Sequence, residues 1–150
     1  MLRAARDEIA VLGQVEQPIL SSAVYETVPE DCEPNAPKFL NAVIEIGWTG
    51  EPLELLGELR RIEAVCGRPT THARNTSRTL DLDLLYCGLR QISRPELELP
   101  HPRLRARRFV LEPLAEIRPE LVLPREAENV VSLLQRLPES APLLRVASEW

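Results

Sequence analysis

The sequence is poor in aromatics, lysine, glycine and cysteine, and each shortage excludes something. Six aromatic residues in 150, or 4%, are too few for an exposed stacking surface of the RNA-recognition type. A formal charge of −5 argues against a chain that coats nucleic acid or anionic membrane. The three cysteines, Cys32, Cys66 and Cys87, are an odd set with no CxxC spacing. They favour neither a disulfide framework nor a thiolate zinc site, and they fit a reducing, cytoplasmic setting. No apolar run approaches the roughly 18 residues of a spanning helix. The first eight residues mix both charge signs before any apolar core, so the start does not read as an export signal. The six glycines build no phosphate loop, and the two histidines, His72 and His101, match no Ser or Cys nucleophile in a recognisable motif. A phosphate-using site in this chain must rest on arginines and metal.

What is present is a globular mix, 44% hydrophobic and 27% charged, sufficient for one domain over residues 1–150. Arginine is concentrated. Between Arg68 and Arg108 lie nine arginines and four acids, a local charge of +5 in a chain whose remainder carries −10. Guanidinium forks match phosphate oxygens in a bidentate way, so this segment suggests an anion site. Only Lys38 is lysine, however, so arginine abundance alone proves little and position must carry the argument.

Leu2, Ala5, Ile9 and Leu12 predict a helix over residues 2–13 that stops at Gly13. Gln17 to Thr27 has strand content and runs into an acidic, proline-rich loop, Val28 to Pro37. A second strand is predicted from Phe39 to Trp48, then a helix from Pro52 to Cys66 with Gly67 past its end. The polar loop Arg68 to Ser77 leads to a third strand, Arg78 to Tyr86. Beyond irregular Leu97 to Arg103, helices are expected from about Arg105 to Glu116 and around Val130 to Leu137. The order predicts an α+β fold: a ferredoxin-like αββαβ core, which is βαββαβ without its first strand, with extra C-terminal helical segments.

Asp81 and Asp83 are the sharpest chemical feature. Two apart on a strand, they point to one face, while Leu80, Leu82 and Leu84 anchor the other in the core. Such a pair suits magnesium carrying a nucleotide; it also suits the solvated face of an edge strand, and the flanking arginines favour the former. Arg78 stands where loop meets strand, and Arg68 and Arg74 lie in a loop without apolar anchors, a candidate lid. His101, between Pro100 and Pro102, can donate to a phosphate, although a histidine packed in a turn is commoner. Phe39 and Phe109 can sandwich a flat heterocycle, but spacing alone favours core positions for both.

Several of these residues stand in an ordered set: Ser21-Ser22-x-x-Tyr25-Glu26-Thr27, Phe39-Leu40-Asn41, Ile62-Glu63 with Gly67-Arg68, Arg78-Thr79-Leu80-Asp81-Leu82-Asp83-Leu84-Leu85, and Pro100-His101-Pro102-Arg103 with Arg107-x-Phe109-Val110-Leu111. The set resembles the 6-hydroxymethyl-7,8-dihydropterin pyrophosphokinases over nearly the whole chain. The resemblance implies an enzyme of folate biosynthesis that moves pyrophosphate from ATP to a pterin alcohol and releases AMP. It implies two magnesium ions on Asp81 and Asp83, with Arg68 and Arg78 as catalytic phosphate arginines. It further implies a pterin pocket of Thr27, Val28, Phe39, Asn41 and Phe109, and nucleotide contacts from Arg78, Leu84, His101 and Arg107. The expected partners are ATP and the pterin, without nucleic acid or membrane, for a cytoplasmic monomer. Three departures stand out. The family's first strand with its Gly-Ser-Asn turn has no counterpart, Thr70 and Asn75 replace lid residues, and Thr76-Ser77 precede Arg78 in place of Gly-Pro. They motivate an alternative, a catalytically impaired pterin or nucleotide binder.

Overall fold

The two long strand-like stretches of the sequence are each broken, and the breaks face one another. The computed structural model describes residues 1–27, 38–67, 80–138 and 143–150. In place of one strand from Gln17 to Thr27 there are two, β1 (Val15–Ser21) and β2 (Val24–Thr27). In place of one from Phe39 to Trp48 there are β3 (Phe39–Asn41) and β4 (Ile44–Trp48). The corner is Ser22, which is almost wholly buried. Its N–H donates to the Val43 carbonyl (2.9 Å), and the Val43 N–H donates to its hydroxyl oxygen (2.9 Å). That hydroxyl in turn donates to the Ala23 carbonyl at 2.7 Å. A side chain thus takes a place that a ladder bond would hold, and the strands change partners around it: β1 pairs with β4, β2 with β3.

The chain divides into two compact units, Met1–Ile19 with Ile46–Leu84, and Leu20–Glu45 with Leu85–Trp150. In the first, α1 (Leu2–Ala10) packs on α2 (Pro52–Gly67). Ala5 and Ile9 of α1 and the stripe Leu55, Leu59 and Ile62 of α2 are all buried at helical spacing. Helix α1 ends before the predicted residue 13, because the Leu12 N–H already turns back to the Ile9 carbonyl (3.1 Å). Helix α2 matches its prediction. Pro52 occupies the first helical position, and the Glu54 carboxylate reaches back to the Glu51 N–H (2.9 Å), half of a capping box.

The predicted strand from Arg78 to Tyr86 is a correction over its described part. Residues 80–87 form no ladder, although burial still alternates: Leu80 is buried, Asp81 and Asp83 are exposed, and Leu82 and Leu84 are only half-buried. Alternation describes a surface half in water; a strand also needs a neighbouring backbone. Here the Leu82 N–H donates instead to the Glu63 carboxylate of α2 (2.6 Å). Beyond Leu84, the Leu85 carbonyl accepts from the His101 N–H (2.7 Å).

The second unit has a three-stranded antiparallel sheet in the order β3-β2-β7, where β7 is Leu144–Ala147. Against it lies α3 (Arg108–Ile117), and α4 (Val130–Arg136) packs on α3. Leu104, Leu111, Leu114 and Val130 are the centre of the core. The helix predicted from about Arg105 starts later. A 3-10 turn at Leu104–Ala106 precedes it, and the extended Arg107 (φ −113°, ψ 108°) is its N-cap. Helix α4 is capped by Asn129, whose side chain accepts from the Ser132 N–H at 3.0 Å. A short hairpin, β5 (Ile92–Ser93) with β6 (Glu98–Leu99), follows a turn in which Gly88 supplies φ +53°. The described residues are therefore a mixed α+β structure with four α-helices and small antiparallel sheets.

Ser22→Ala removes the oxygen that accepts from the buried Val43 N–H, so it is expected to lower unfolding free energy by about 1–3 kcal/mol. Urea denaturation with an unchanged m-value checks this.

Candidate functional site

The register of β2 and β3 places four polar or aromatic side chains on one face. Tyr25 lies opposite Asn41, and Thr27 opposite Phe39. Residues directly opposite, and residues two apart, share a face in an antiparallel pair, so Tyr25, Thr27, Phe39 and Asn41 form one patch. The Asn41 amide donates from Nδ2 to the Thr27 hydroxyl at 3.0 Å, which fixes the amide plane. Phe39 is 49% exposed, unlike a core phenylalanine. The same face bonds to α3, because the Tyr25 hydroxyl donates to the Glu116 carboxylate (3.0 Å). Phe109 stands in the first turn of α3, half-buried against the core, with the Arg107 guanidinium 5.4 Å from its ring centroid. Thr27, Phe39 and Asn41 thus lie together on β2 and β3, and Phe109 lies on the helix that packs against those strands.

His101 is set by its prolines and by its own ring. Nδ1 accepts from the Arg103 N–H (3.1 Å), so the neutral imidazole carries its proton on Nε2. The ring lines a pocket of about 110 Å³ with Glu98, Leu104, Arg105 and Arg125. Arg105 is paired there with Glu126 (3.1 Å).

Asp81, Asp83 and Leu84 belong to the first unit. Asp81 and Asp83 are both exposed and alternate with the half-buried Leu82 and Leu84. The hard carboxylate oxygens suit magnesium, which prefers one or two carboxylates plus substrate phosphates over an all-protein cage. No cluster of three His, Cys, Asp or Glu side chains fit for a metal occurs among the described residues. Val28, Arg68 and Arg78 lie outside the described residues, as do His72, Thr70, Asn75 and both predicted loops.

Three acids outside the predicted site residues organise these positions. Glu63 holds the Leu82 backbone between the two aspartates, and Glu116 holds Tyr25. Glu45 accepts a hydrogen bond from the Tyr86 hydroxyl and forms an ion pair with Arg118 (3.4 Å). Burial, then the Glu45 carboxylate, push the Tyr86 phenol above its ordinary range, and burial followed by Glu116 does the same to Tyr25.

A family model described as 7,8-dihydro-6-hydroxymethylpterin-pyrophosphokinase (HPPK) matches residues 1–119. The chain belongs to the HPPK family. Its relatives include 2-amino-4-hydroxy-6-hydroxymethyldihydropteridine pyrophosphokinases from several bacteria. The Synechocystis sp. protein is 38% identical over 104 residues, covering 69% of this chain and 53% of the relative. The Bacillus subtilis protein is 45% identical over 96 residues, covering 64% and 56%. The Haemophilus influenzae protein is 39% identical over 123 residues, covering 82% and 75%. Against the Synechocystis, B. subtilis and Pseudomonas aeruginosa proteins, the chain spans 53%, 56% and 62% of the relative's length. The HPPK match includes β2, β3, Asp81, Asp83, His101 and Phe109, and among the described residues no helix is long and apolar enough to cross a membrane.

Two outcomes are expected. Glu63→Ala strands the Leu82 N–H and costs about 1–3 kcal/mol, while Glu63→Gln, which keeps an acceptor oxygen, costs less; urea titrations distinguish them. The fold favours the neutral form of both tyrosines, so their contribution is complete below pH 10 and is lost as the pH rises above it, where the unfolded chain ionises first. Tyr86→Phe should flatten the fall of stability on the alkaline side, read by urea midpoints against pH.

Proposed function

We propose that the chain transfers pyrophosphate from ATP to 6-hydroxymethyl-7,8-dihydropterin, giving AMP and the pterin diphosphate in folate biosynthesis. Membership of the HPPK family supports the reading, and the β2–β3 face carries it. Thr27, Phe39 and Asn41 share that face, and a ring on α3 is available as the opposite wall. A flat, apolar-faced heterocycle with a mixed donor and acceptor edge suits two phenylalanine rings and a side-chain amide. Asn41 gives one amide hydrogen to Thr27 and keeps its carbonyl oxygen and second hydrogen for the pterin edge. By the same reading Val28 is a further pterin-binding residue.

The reaction forms a bond from the pterin hydroxymethyl oxygen to the β-phosphorus of ATP. The bond from that phosphorus to the α–β bridging oxygen breaks, AMP leaves with the oxygen, and the hydroxymethyl proton passes to solvent. Positioning and charge stabilisation supply most of the rate in such transfers. Asp81 and Asp83 would hold two magnesium ions, which would supply charge neutralisation at the triphosphate. Arg68, Arg78 and Arg107 bind phosphate oxygens, and His101 donates through Nε2. Leu84 lies along the adenine. The same reading takes residues 1–150 as one pyrophosphokinase-like domain with a ferredoxin-like core, a cytoplasmic monomer.

A second reading, a pterin or nucleotide binder without turnover, is favoured by the missing ladder at residues 80–87. AMP release from magnesium and ATP, with and without the pterin, separates the two. Pterin-dependent AMP supports the transferase; pterin binding without AMP supports the binder. For the transferase, Asp81→Ala and Asp83→Ala are each expected to lower the rate about a hundredfold or more while far-ultraviolet circular dichroism stays unchanged. Retained turnover in either variant removes the metal assignment.

A further inference from the structure

We infer that Glu116 is a positioning residue for the pterin pocket, holding the strands that carry one wall in register with the helix that carries the other. The inference rests on the function proposed above. Glu116 is near the C-terminal end of α3, and its carboxylate gathers donors from two strands. Oε2 accepts from the Ala23 N–H (2.9 Å) and from the Tyr25 hydroxyl (3.0 Å), and Oε1 accepts from the Arg145 guanidinium of β7 (3.0 Å).

Phe109 and Glu116 are seven residues apart on one helix. Two turns bring them to the same face, separated along the axis by about 10 Å. On the sheet side, Tyr25 and Thr27 share the face of Asn41 and Phe39 through the β2–β3 register. One end of α3 therefore carries a pocket ring, and the other end is bonded to β2, whose ladder partner β3 carries the second ring and Asn41. The packing of α3 through Val110, Leu111 and Leu114 is apolar, and apolar contact is non-directional; it tolerates small slides and rotations. Hydrogen bonds to a carboxylate are directional and fix the register that packing leaves loose. Ala23 is 1% exposed and Tyr25 8%, so these bonds are also costly to lose. Glu116 itself need not touch the pterin. A change in the spacing of the two rings should act on pterin affinity and leave nucleotide affinity alone.

The test is direct binding to the full chain, with magnesium and α,β-methylene-ATP present so that the scissile bridge cannot break. The dissociation constants of 6-hydroxymethyl-7,8-dihydropterin and of the ATP analogue are measured for wild type, Glu116→Ala, Glu116→Gln and Tyr25→Phe. Glu116→Ala is expected to weaken the pterin about tenfold, the size of one lost charged hydrogen bond, and the ATP analogue less than about twofold. Glu116→Gln should recover most of the loss, because its amide oxygen still accepts from Ala23 and Tyr25. Tyr25→Phe should give a smaller loss of the same selectivity, and it carries the test if Glu116→Ala does not fold. A residue that only supports folding would lower the melting temperature and the binding-competent fraction, with both constants unchanged. That result, or equal loss for both ligands, overturns the inference while the proposed function stands. A wild-type chain that binds the nucleotide analogue and no pterin overturns the proposed function, and the inference with it.

Discussion

The paired bonds between Ser22 and Val43 are the constraint on which the second unit's sheet depends. A long two-stranded ribbon from residue 15 to residue 48 would pair continuously and twist as one piece. A buried hydroxyl at the corner satisfies the Val43 N–H at the point where the β2–β3 ladder starts. Everything that brings Thr27, Asn41 and Phe39 to one face follows from the short ladder beyond that corner. The Trp150 indole N–H adds a further bond at the same place, donating to the Ser22 carbonyl at 2.8 Å. A polar residue in a buried corner is tolerable because each of its hydrogen-bonding groups is used.

Acidic side chains take on much of the organisation that regular structure leaves undone. Glu63 serves the backbone of the segment that carries Asp81 and Asp83, Glu116 serves β2 and β7, and Glu45 serves Tyr86 and Arg118. Each is part of the acidic excess that outside the arginine-rich segment looks like ordinary solvated surface. Carboxylates that accept from backbone and phenol donors tie elements together with direction, which the small apolar cores of the two units cannot do alone.

How far the sequence could be read depended on where the deciding partner lay. Helix α2 was legible because its apolar stripe, its Pro52 start and its Gly67 end are local signals. The acidic pair and its exposed side were legible from alternation, which persists at residues 80–84 even without a ladder. The strand itself was misread there, since pairing depends on a neighbour that alternation does not report. The breaks at Ser22 and Val43 were hidden because neither stretch contains a glycine or proline at the corner. Strands β5 and β6 escaped because two residues each carry no periodic pattern, and β7 because it buries little; its Leu144 and Val146 are exposed. The aromatic and amide side chains at Phe39, Asn41 and Phe109 were visible in the sequence. The acceptor roles of Glu63 and Glu116 were not, because each is defined by a donor at least 19 positions away.

The bond from Leu82 to Glu63 has a consequence for dynamics. A strand inside a sheet is released only when its ladders open on both sides, an event close to global unfolding. The attachments of residues 80–84 include Leu80 in the core and the bond from the Leu82 N–H to a helix side chain, and none is a ladder. Without a ladder on either side, opening of these residues is a local event, with a free energy below that of the whole unit. The amide of Leu82 should accordingly exchange its hydrogen by fluctuations that leave α1 and α2 folded. The two aspartates are thus borne on a stretch whose order is adjustable independently of the helices beneath it.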